Sequence, residues 1–114
     1  MKKSISALFI AAALIFSATT VFAASGSSLF SSEGCIACHA VNGQGGSVGP
    51  DLSHVGSKRS LSWLKTQITN PDAHFAAETN VFLNGKSYTA IMPSHKHMAA
   101  AKLNALAAYL ESLK

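Results

Sequence analysis

Two cysteines and a histidine form the densest cluster of chemically active residues in the sequence. Cys35 and Cys38 are separated by two residues, and His39 follows directly. Positions three residues apart lie on one face of a helical turn, so the two thiols can reach the two vinyl groups of one porphyrin. The adjacent imidazole can then bind the central iron. This is the spacing of the c-type haem attachment motif, and it predicts one covalently bound haem c.

Three other kinds of site share the Cys-x-x-Cys spacing. A thioredoxin-like redox pair needs a strand before it, and the Ser-rich segment that precedes Cys35 predicts none. A plain disulfide would close a very short loop and stabilise a small domain poorly. A zinc site would need ligands from elsewhere, since the sequence holds no second cysteine pair. The histidines that could supply them after folding are His54, His74, His95 and His97.

The N-terminus has the anatomy of a secretory signal peptide. Lys2 and Lys3 give it a positive start, and an apolar run from Ile5 to Phe22 follows. Small residues then occupy the −3 and −1 positions of a cleavage site within Val21-Phe22-Ala23. The pattern predicts export to the periplasm.

We expect cleavage after Ala23, with cleavage after Ala24 as the second choice. Residues 1–23 would then be the signal peptide and residues 24–114 the mature domain. The alternative is an uncleaved membrane anchor that faces the periplasm, since the apolar run is close to spanning length. After cleavage we expect no stable insertion in the membrane.

Size and charge limit what the mature chain can do. Part of the net charge of +4 comes from Lys2 and Lys3, and without them seven basic residues face five acidic ones. No basic run is present, so the sequence does not predict nucleic-acid binding and permits only mild steering toward an acidic partner. A domain of about this size is marginal with a hydrophobic core alone, and a large cofactor would complete it.

The rest of the sequence predicts short helices separated by long loops. A first helix would run from about Ser28 to the cysteine pair, with Leu29 and Phe30 facing inward. Glycines and a proline punctuate residues 40–59 too densely for a regular element. Ser60 suits the N-cap of a second helix, which should stop at Asn70 because proline follows. One face of this helix would carry Leu61, Leu64 and Ile68.

The C-terminal third predicts a hairpin and the clearest helix. Asn84-Gly85 lies between two short strand-like runs, Val81–Leu83 and Lys86–Tyr88, which is typical of a tight turn. A last helix is expected over Ala99–Leu113. Its apolar stripe would be formed by Leu103, Leu106, Ala107, Leu110 and Leu113.

Over residues 28–114 the chain resembles the class I bacterial cytochrome c family, small mono-haem proteins with His/Met ligation. The resemblance lies in three segments: Leu29–Val41 with the haem motif, Gly49–Leu52 followed by Val55-Gly56 and Arg59, and Met92-Pro93 followed by Leu103–Leu110. It implies an all-α, cytochrome c-like fold, with a few short helices and long loops wrapped round one haem c and its iron.

The resemblance also implies roles for single residues. Cys35 and Cys38 would form the thioethers and His39 would be one axial iron ligand. The carbonyl of Pro50 would bind the other nitrogen of His39. The haem propionates would be met by Arg59, with help from Lys58, and by the indole N–H of Trp63.

Met92 is the expected second axial ligand. A thioether is a soft donor that favours reduced iron, and Pro93 would stiffen the loop that holds the sulfur. Met98 is interpreted as a core residue just before the last helix. Bis-histidine ligation through His95 or His97 is a further alternative.

The resemblance implies a soluble one-electron carrier of a periplasmic or respiratory chain, and no enzymatic activity of its own. Its partners would be a quinol-oxidising complex on one side and a terminal oxidase, reductase or dehydrogenase on the other. Two alternatives are an open-site haem enzyme or sensor, and a haem subunit docked to a larger oxidoreductase. In the second case the contact would be the long segment Ala76–Ala90, with Val81, Phe82 and Leu83 exposed.

Overall fold

A computed structural model describes residues 25–114, and the predicted signal peptide lies outside them. The described chain forms helices α1 (Gly26–Ser32), α2 (Leu61–Thr69) and α3 (Ala100–Ser112), strands β1 (Ala40–Val41), β2 (Gln44–Gly45), β3 (Asn80–Leu83) and β4 (Lys86–Thr89), and 3-10 turns at Cys35–Ala37, Val55–Ser57 and Pro71–Ala73. The strands pair β1 with β2 and β3 with β4, both antiparallel. Helices make up most of the regular structure, but the two strand pairs show that the predicted all-α class is not strictly met. None of the helices described is long and apolar enough to cross a membrane.

Helix α1 begins two residues earlier than predicted because Ser25 caps it. The Ser25 hydroxyl accepts a hydrogen bond from the backbone N–H of Ser28 at 3.2 Å. Gly26, in the first turn, lies directly against α3, and a Cβ at this position would collide with Ala105 and Tyr109. The two terminal helices can cross this closely only because residue 26 has no side chain.

Helix α2 has the predicted ends but a shorter buried face. Ser60 caps it by accepting from the N–H of Trp63 at 3.2 Å, and the helix ends before Asn70. Leu64 and Ile68 are buried, as predicted. Leu61, on the same predicted face, is less buried, since 40% of the residue is exposed. It lies in the first turn of the helix, and burial begins only with the second.

The hydrophobic core joins the three helices. Leu29 and Phe30 are buried, which confirms the inward face predicted for α1. The full set of buried apolar residues is Leu29, Phe30, Leu64, Ile68, Leu106, Ala107 and Leu110. The middle of the stripe predicted for α3 is thus buried, while Leu103 and Leu113 pack at its edge.

Both strand pairs turn at an Asn-Gly dipeptide. Asn84 and Gly85 have φ values of 51° and 77°, the left-handed conformations that a two-residue hairpin turn requires, and this hairpin was predicted. Asn42 and Gly43 repeat the pattern with φ values of 50° and 80° between β1 and β2. Residues 40–59, predicted to be a loop without regular structure, therefore contain a short hairpin that turns at Asn42-Gly43.

The long segment Ala76–Ala90 closes on itself. The N–H of Glu78 donates to the carbonyl of Ala90 at 2.8 Å, and the N–H of Ala90 donates to the carbonyl of Thr79 at 2.8 Å. Because the two ends of the hairpin meet, the added residues do not lengthen the path from α2 to Met92.

Candidate haem-binding site

One wall of the core is open to a cavity of about 570 Å³. Buried residues of all three helices line it, including Phe30, Leu64 and Leu106. All the residues predicted for the site line this same cavity, namely Cys35, Cys38, His39, Pro50, Arg59, Trp63 and Met92. Exposing an apolar wall of this size to water would destabilise a small domain. The cavity is therefore suited to a large, flat, apolar group that covers the wall.

The cysteines are presented by a 3-10 turn that follows α1. Gly34 leads into it with a φ of 81°, a left-handed conformation that favours glycine, and nothing lies within 4 Å of where its Cβ would be. The N–H of His39 donates to the carbonyl of Cys35 at 3.0 Å, which closes the turn. Both thiols are free and half-buried. The turn therefore places both thiols and the imidazole beside one cavity.

The thiol chemistry differs from that of a redox pair. Burial raises the pKa of the Cys35 thiol, whereas the reactive cysteine of a disulfide oxidoreductase has a lowered pKa. A helix, not a strand, precedes the pair. In the part of the chain that the structure describes, no three His, Cys, Asp or Glu side chains cluster as a metal site would require.

His39 is held by the loop that follows it. Its Nδ1 donates to the carbonyl of Pro50 at 2.8 Å, which leaves the lone pair on Nε2 for a metal. Burial lowers the pKa of His39, and the bond to Pro50 opposes this only in part. The imidazole is therefore kept neutral, the form that can bind iron. Gly49 makes room for the ring, since a Cβ there would lie 2.5 Å from Cε1 of His39.

Backbone bonds fix this loop around the haem motif. The N–H of Gly46 donates to the carbonyl of Ile36 at 2.9 Å, and that of Gly49 donates to the carbonyl of Cys38 at 2.8 Å. A third bond, of 2.9 Å, runs from the N–H of Leu52 to the carbonyl of Ala40. The carbonyl of Pro50 is thus positioned by the main chain on both sides.

The four candidates for the second axial ligand fall into two groups. Met92 and His95 line the cavity, whereas Met98 and His97 do not. Met98 packs against the core, in agreement with its interpretation as a core residue. The Nδ1 atom of His95 is buried and has no hydrogen-bond partner among the described residues. Geometry therefore leaves one methionine and one histidine as candidates.

The Met92 sulfur has a polar neighbour that the sequence did not reveal. Nε2 of Gln67 donates to Sδ of Met92 at 3.4 Å, and Oε1 of the same amide accepts from Nδ1 of His74 at 2.9 Å. One sequence signal was available. Gln67 follows Leu64 by three residues and Trp63 by four, so it is a polar residue on the buried side of α2.

Arg59 and Trp63 lie together at the cavity wall. Cζ of Arg59 is 4.2 Å from the centre of the Trp63 ring, a cation–π contact. The His74 ring stacks on Trp63 with centroids 4.2 Å apart and planes inclined by 2°. Lys58, the other basic residue considered for a propionate, donates to Oδ1 of Asn84 at 2.9 Å and so ties the tip of the β3–β4 hairpin to the loop before α2.

Comparison with known proteins identifies the fold and the cofactor. The family model described as Cytochrome c matches residues 23–114. Cytochrome c oxidase subunit 2 of Alkalihalophilus pseudofirmus is 31% identical over 97 residues, which is 84% of this chain and 27% of that protein. The chain therefore spans about a quarter of the length of this curated relative. No solved structure matched.

The family match agrees with the local geometry, in which two cysteines and a histidine border one apolar cavity. The fold is cytochrome c-like, and the cofactor is a covalently bound haem c with its iron. The chain belongs to the cytochrome c family.

Proposed function

We propose that the protein is an exported one-electron carrier whose iron is bound by His39 and Met92 in both oxidation states. The observation that carries this proposal is the arrangement of Cys35, Cys38, His39 and Met92 around a single cavity. With both axial positions taken by side chains, no position would remain for a substrate. The protein itself would then catalyse no bond chemistry.

The bound haem supplies an iron that alternates between the ferrous and ferric states. The chain supplies the rest. Cys35 and Cys38 hold the group covalently, and the Pro50 carbonyl orients His39 and strengthens it as a donor. Arg59 and Trp63 would face the haem propionates, and their contact at the cavity wall supports this role. The apolar wall keeps water from the iron.

Carbon monoxide binding tests the proposed saturation of the iron. The purified ferrous protein should not bind carbon monoxide within seconds of mixing, and a redox titration should follow a one-electron curve. Rapid binding by the unmodified protein would contradict the carrier and favour an open-site enzyme or sensor.

Export is proposed from the signal-peptide pattern of residues 1–23. The mature protein should then begin at Ala24 and be found in the periplasm, where a quinol-oxidising complex and a terminal oxidase, reductase or dehydrogenase would be its partners. N-terminal sequencing of the purified protein checks this. An intact Met1 in a membrane fraction would favour the anchored alternative.

A second candidate is a haem subunit docked to a larger oxidoreductase. Two observations favour it: the similarity to an oxidase subunit, and the Phe82 side chain on β3, which is 74% exposed. Val81 and Leu83 were expected to be exposed with it, but both line the cavity. Size exclusion of a native extract separates the two candidates, because a free carrier elutes as a small protein and a subunit elutes with its enzyme.

A further inference from the structure

We infer that the β3–β4 hairpin is a fixed lid over one side of the haem site: its inner face covers the cofactor, and a contact between Lys58 and Asn84 holds its tip in place. The inference rests on the haem of the family and on the lining of the cavity. It does not depend on which side chain is the second axial ligand.

The two faces of the hairpin meet different surroundings. On the inner face, Val81 pairs with Tyr88 across the strands, and both are half-buried and line the cavity. Leu83, the next residue on that face, also lines it. Phe82 lies between Val81 and Leu83 and is 74% exposed. Because side chains alternate along a strand, the hairpin turns one apolar face to the cavity and the other face to water.

The tip of the hairpin reaches the proximal side of the cavity. Nζ of Lys58, in the loop before α2, donates to Oδ1 of Asn84 at 2.9 Å. Hydrogen bonds from Ser53 lower the pKa of the Asp51 carboxyl, and Lys86 on β4 adds a smaller electrostatic effect in the same direction. Lys58 and Asp51 both line the cavity. The hairpin therefore extends from the distal segment, next to Met92, to the loops on the proximal side.

A lid in this position should favour the ferrous state of the haem. Ferric haem carries one more positive charge than ferrous haem, and an apolar cover removes water that would stabilise this charge. The same cover reduces the area of the cofactor that is in contact with solvent. The hairpin should therefore raise the reduction potential and limit the access of water to the haem.

The first test removes the hairpin at its base. The N–H of Ala90 donates to the carbonyl of Thr79 at 2.8 Å, which is the bond that closes a two-residue β-turn. Replacement of residues 80–89 by Asn-Gly would make Thr79 and Ala90 the two ends of such a turn. The haem-loaded shortened variant should keep its thioethers, show a larger shift of its visible bands when ethylene glycol is added, and have a lower midpoint potential.

Lys86→Gln is the control for the shortened variant. Lys86 is the only charged residue within 80–89, so this substitution removes the same charge and keeps the hairpin. It should leave the solvent-induced band shift at the parent value. Its potential should fall less than that of the shortened variant.

The second test breaks the contact with Lys58 without a change of charge. Asn84→Gly removes the side-chain amide, and glycine suits the left-handed φ of 51° at this turn position. Asn42→Gly makes the same change at a φ of 50° in the β1–β2 turn, where the side chain is also exposed. We expect Asn84→Gly to change the band shift and the potential in the same direction as the shortened variant, but less. Asn42→Gly should change neither.

The third test compares the two faces of β3. Leu83→Ala opens the inner face, so it should increase the solvent-induced shift and lower the potential. Phe82→Ala truncates the neighbouring residue on the outer face and should leave both at the parent values. This pair decides the question even if the shortened variant does not accumulate as folded protein.

The outcomes separate this inference from the proposed function. A ferric parent without the weak near-infrared sulfur-to-iron charge-transfer band would contradict ligation by Met92, but the comparisons between variants would still measure the lid. A folded shortened variant with the band shift and potential of Lys86→Gln would overturn the lid, and so would equal results for Leu83→Ala and Phe82→Ala. Equal results for Asn84→Gly and Asn42→Gly would overturn the role of the contact between Lys58 and Asn84.

Discussion

The two sides of the cavity are built in different ways. On the proximal side, residues 35–52, main-chain hydrogen bonds of 2.8 to 2.9 Å connect the haem motif to the following loop, and a backbone carbonyl fixes His39. On the distal side, residues 90–98, the sulfur of Met92 meets one side-chain donor at 3.4 Å. The position of a ligand held by backbone groups changes little when neighbouring side chains are substituted. A ligand held by a side chain can lose that contact through one substitution.

The distal segment is attached to α2 at two points near the end of that helix. The N–H of His95 donates to the carbonyl of Ile68 at 3.0 Å, and the hydroxyl of Ser94 donates to the carbonyl of Thr69 at 2.6 Å. Both anchors lie after Met92 in the chain. We therefore expect the proximal side to set whether the protein folds around its cofactor, and the distal side to set its potential and its access to outside ligands.

Removal of both thiols should have the largest effect. The double variant Cys35→Ser with Cys38→Ser cannot form thioethers, so the cavity would lose the group that completes the core. Little folded protein should accumulate, and any haem present should extract into acidified organic solvent. Mass spectrometry and far-ultraviolet circular dichroism measure both. Haem that stays attached in the double variant would contradict covalent binding at these residues.

Gly49→Ala should disturb the proximal side strongly. The φ of Gly49 is not positive, so the cost would come from contact, with the new Cβ near three ring atoms of His39. Overpacking of this kind costs about 1–3 kcal/mol, and the displaced imidazole should also change the visible spectrum. Denaturant unfolding and the optical spectrum of the haem-loaded protein report the two effects.

Gly43→Ala is the control for the Gly49 variant. Gly43 has a φ of 80° but open space around its Cβ position, so alanine would bring only backbone strain of about 1–2 kcal/mol. It should lower the free energy of unfolding without changing the haem spectrum. A spectrum unchanged in Gly49→Ala as well would mean that Gly49 does not determine the position of His39.

Ser94→Ala should have the smallest effect and should act on the distal side alone. It removes the bond to Thr69, worth about 0.5–1.5 kcal/mol, and loosens the segment that carries Met92. Ser112→Ala removes a bond of the same length, 2.6 Å to the carbonyl of Tyr109, far from the site in sequence. Both variants should lose similar stability, but only Ser94→Ala should bind added imidazole more tightly. Equal imidazole affinities would show that this anchor does not control access.

The sequence predicts the proximal side far better than the distal side. Cys35, Cys38 and His39 can be recognised together because their spacing along the chain fixes their geometry. Outside the proximal side, local preferences also predict the ends of α2, at Ser60 and Asn70. The Asn42-Gly43 hairpin carries the same local signal as Asn84-Gly85 and could have been predicted.

Other features depend on contacts that only the folded chain creates. Gln67 lies 25 residues from Met92 in sequence, and no local pattern pairs an amide with a sulfur over that distance. The exposure of Leu61 and the contact of Gly26 with α3 depend on how the helices pack against one another, which no local pattern specifies. The hairpin within segment 76–90 is predicted by its sequence, but the backbone bonds that join its two ends, Glu78 to Ala90 and Ala90 to Thr79, are not.

Ligation by His39 and Met92 is tested most directly by the near-infrared charge-transfer band of the ferric protein. We expect the band in the parent and in Met98→Ala, which should lose only packing stability, at most about 2–5 kcal/mol for a fully buried methionine. Met92→Ala should lose the band, have a lower potential and bind carbon monoxide when reduced. A parent without the band would contradict Met92 as a ligand and favour His95, the other candidate beside the cavity. Loss of the band in Met98→Ala but not in Met92→Ala would reverse the assignment between the two methionines.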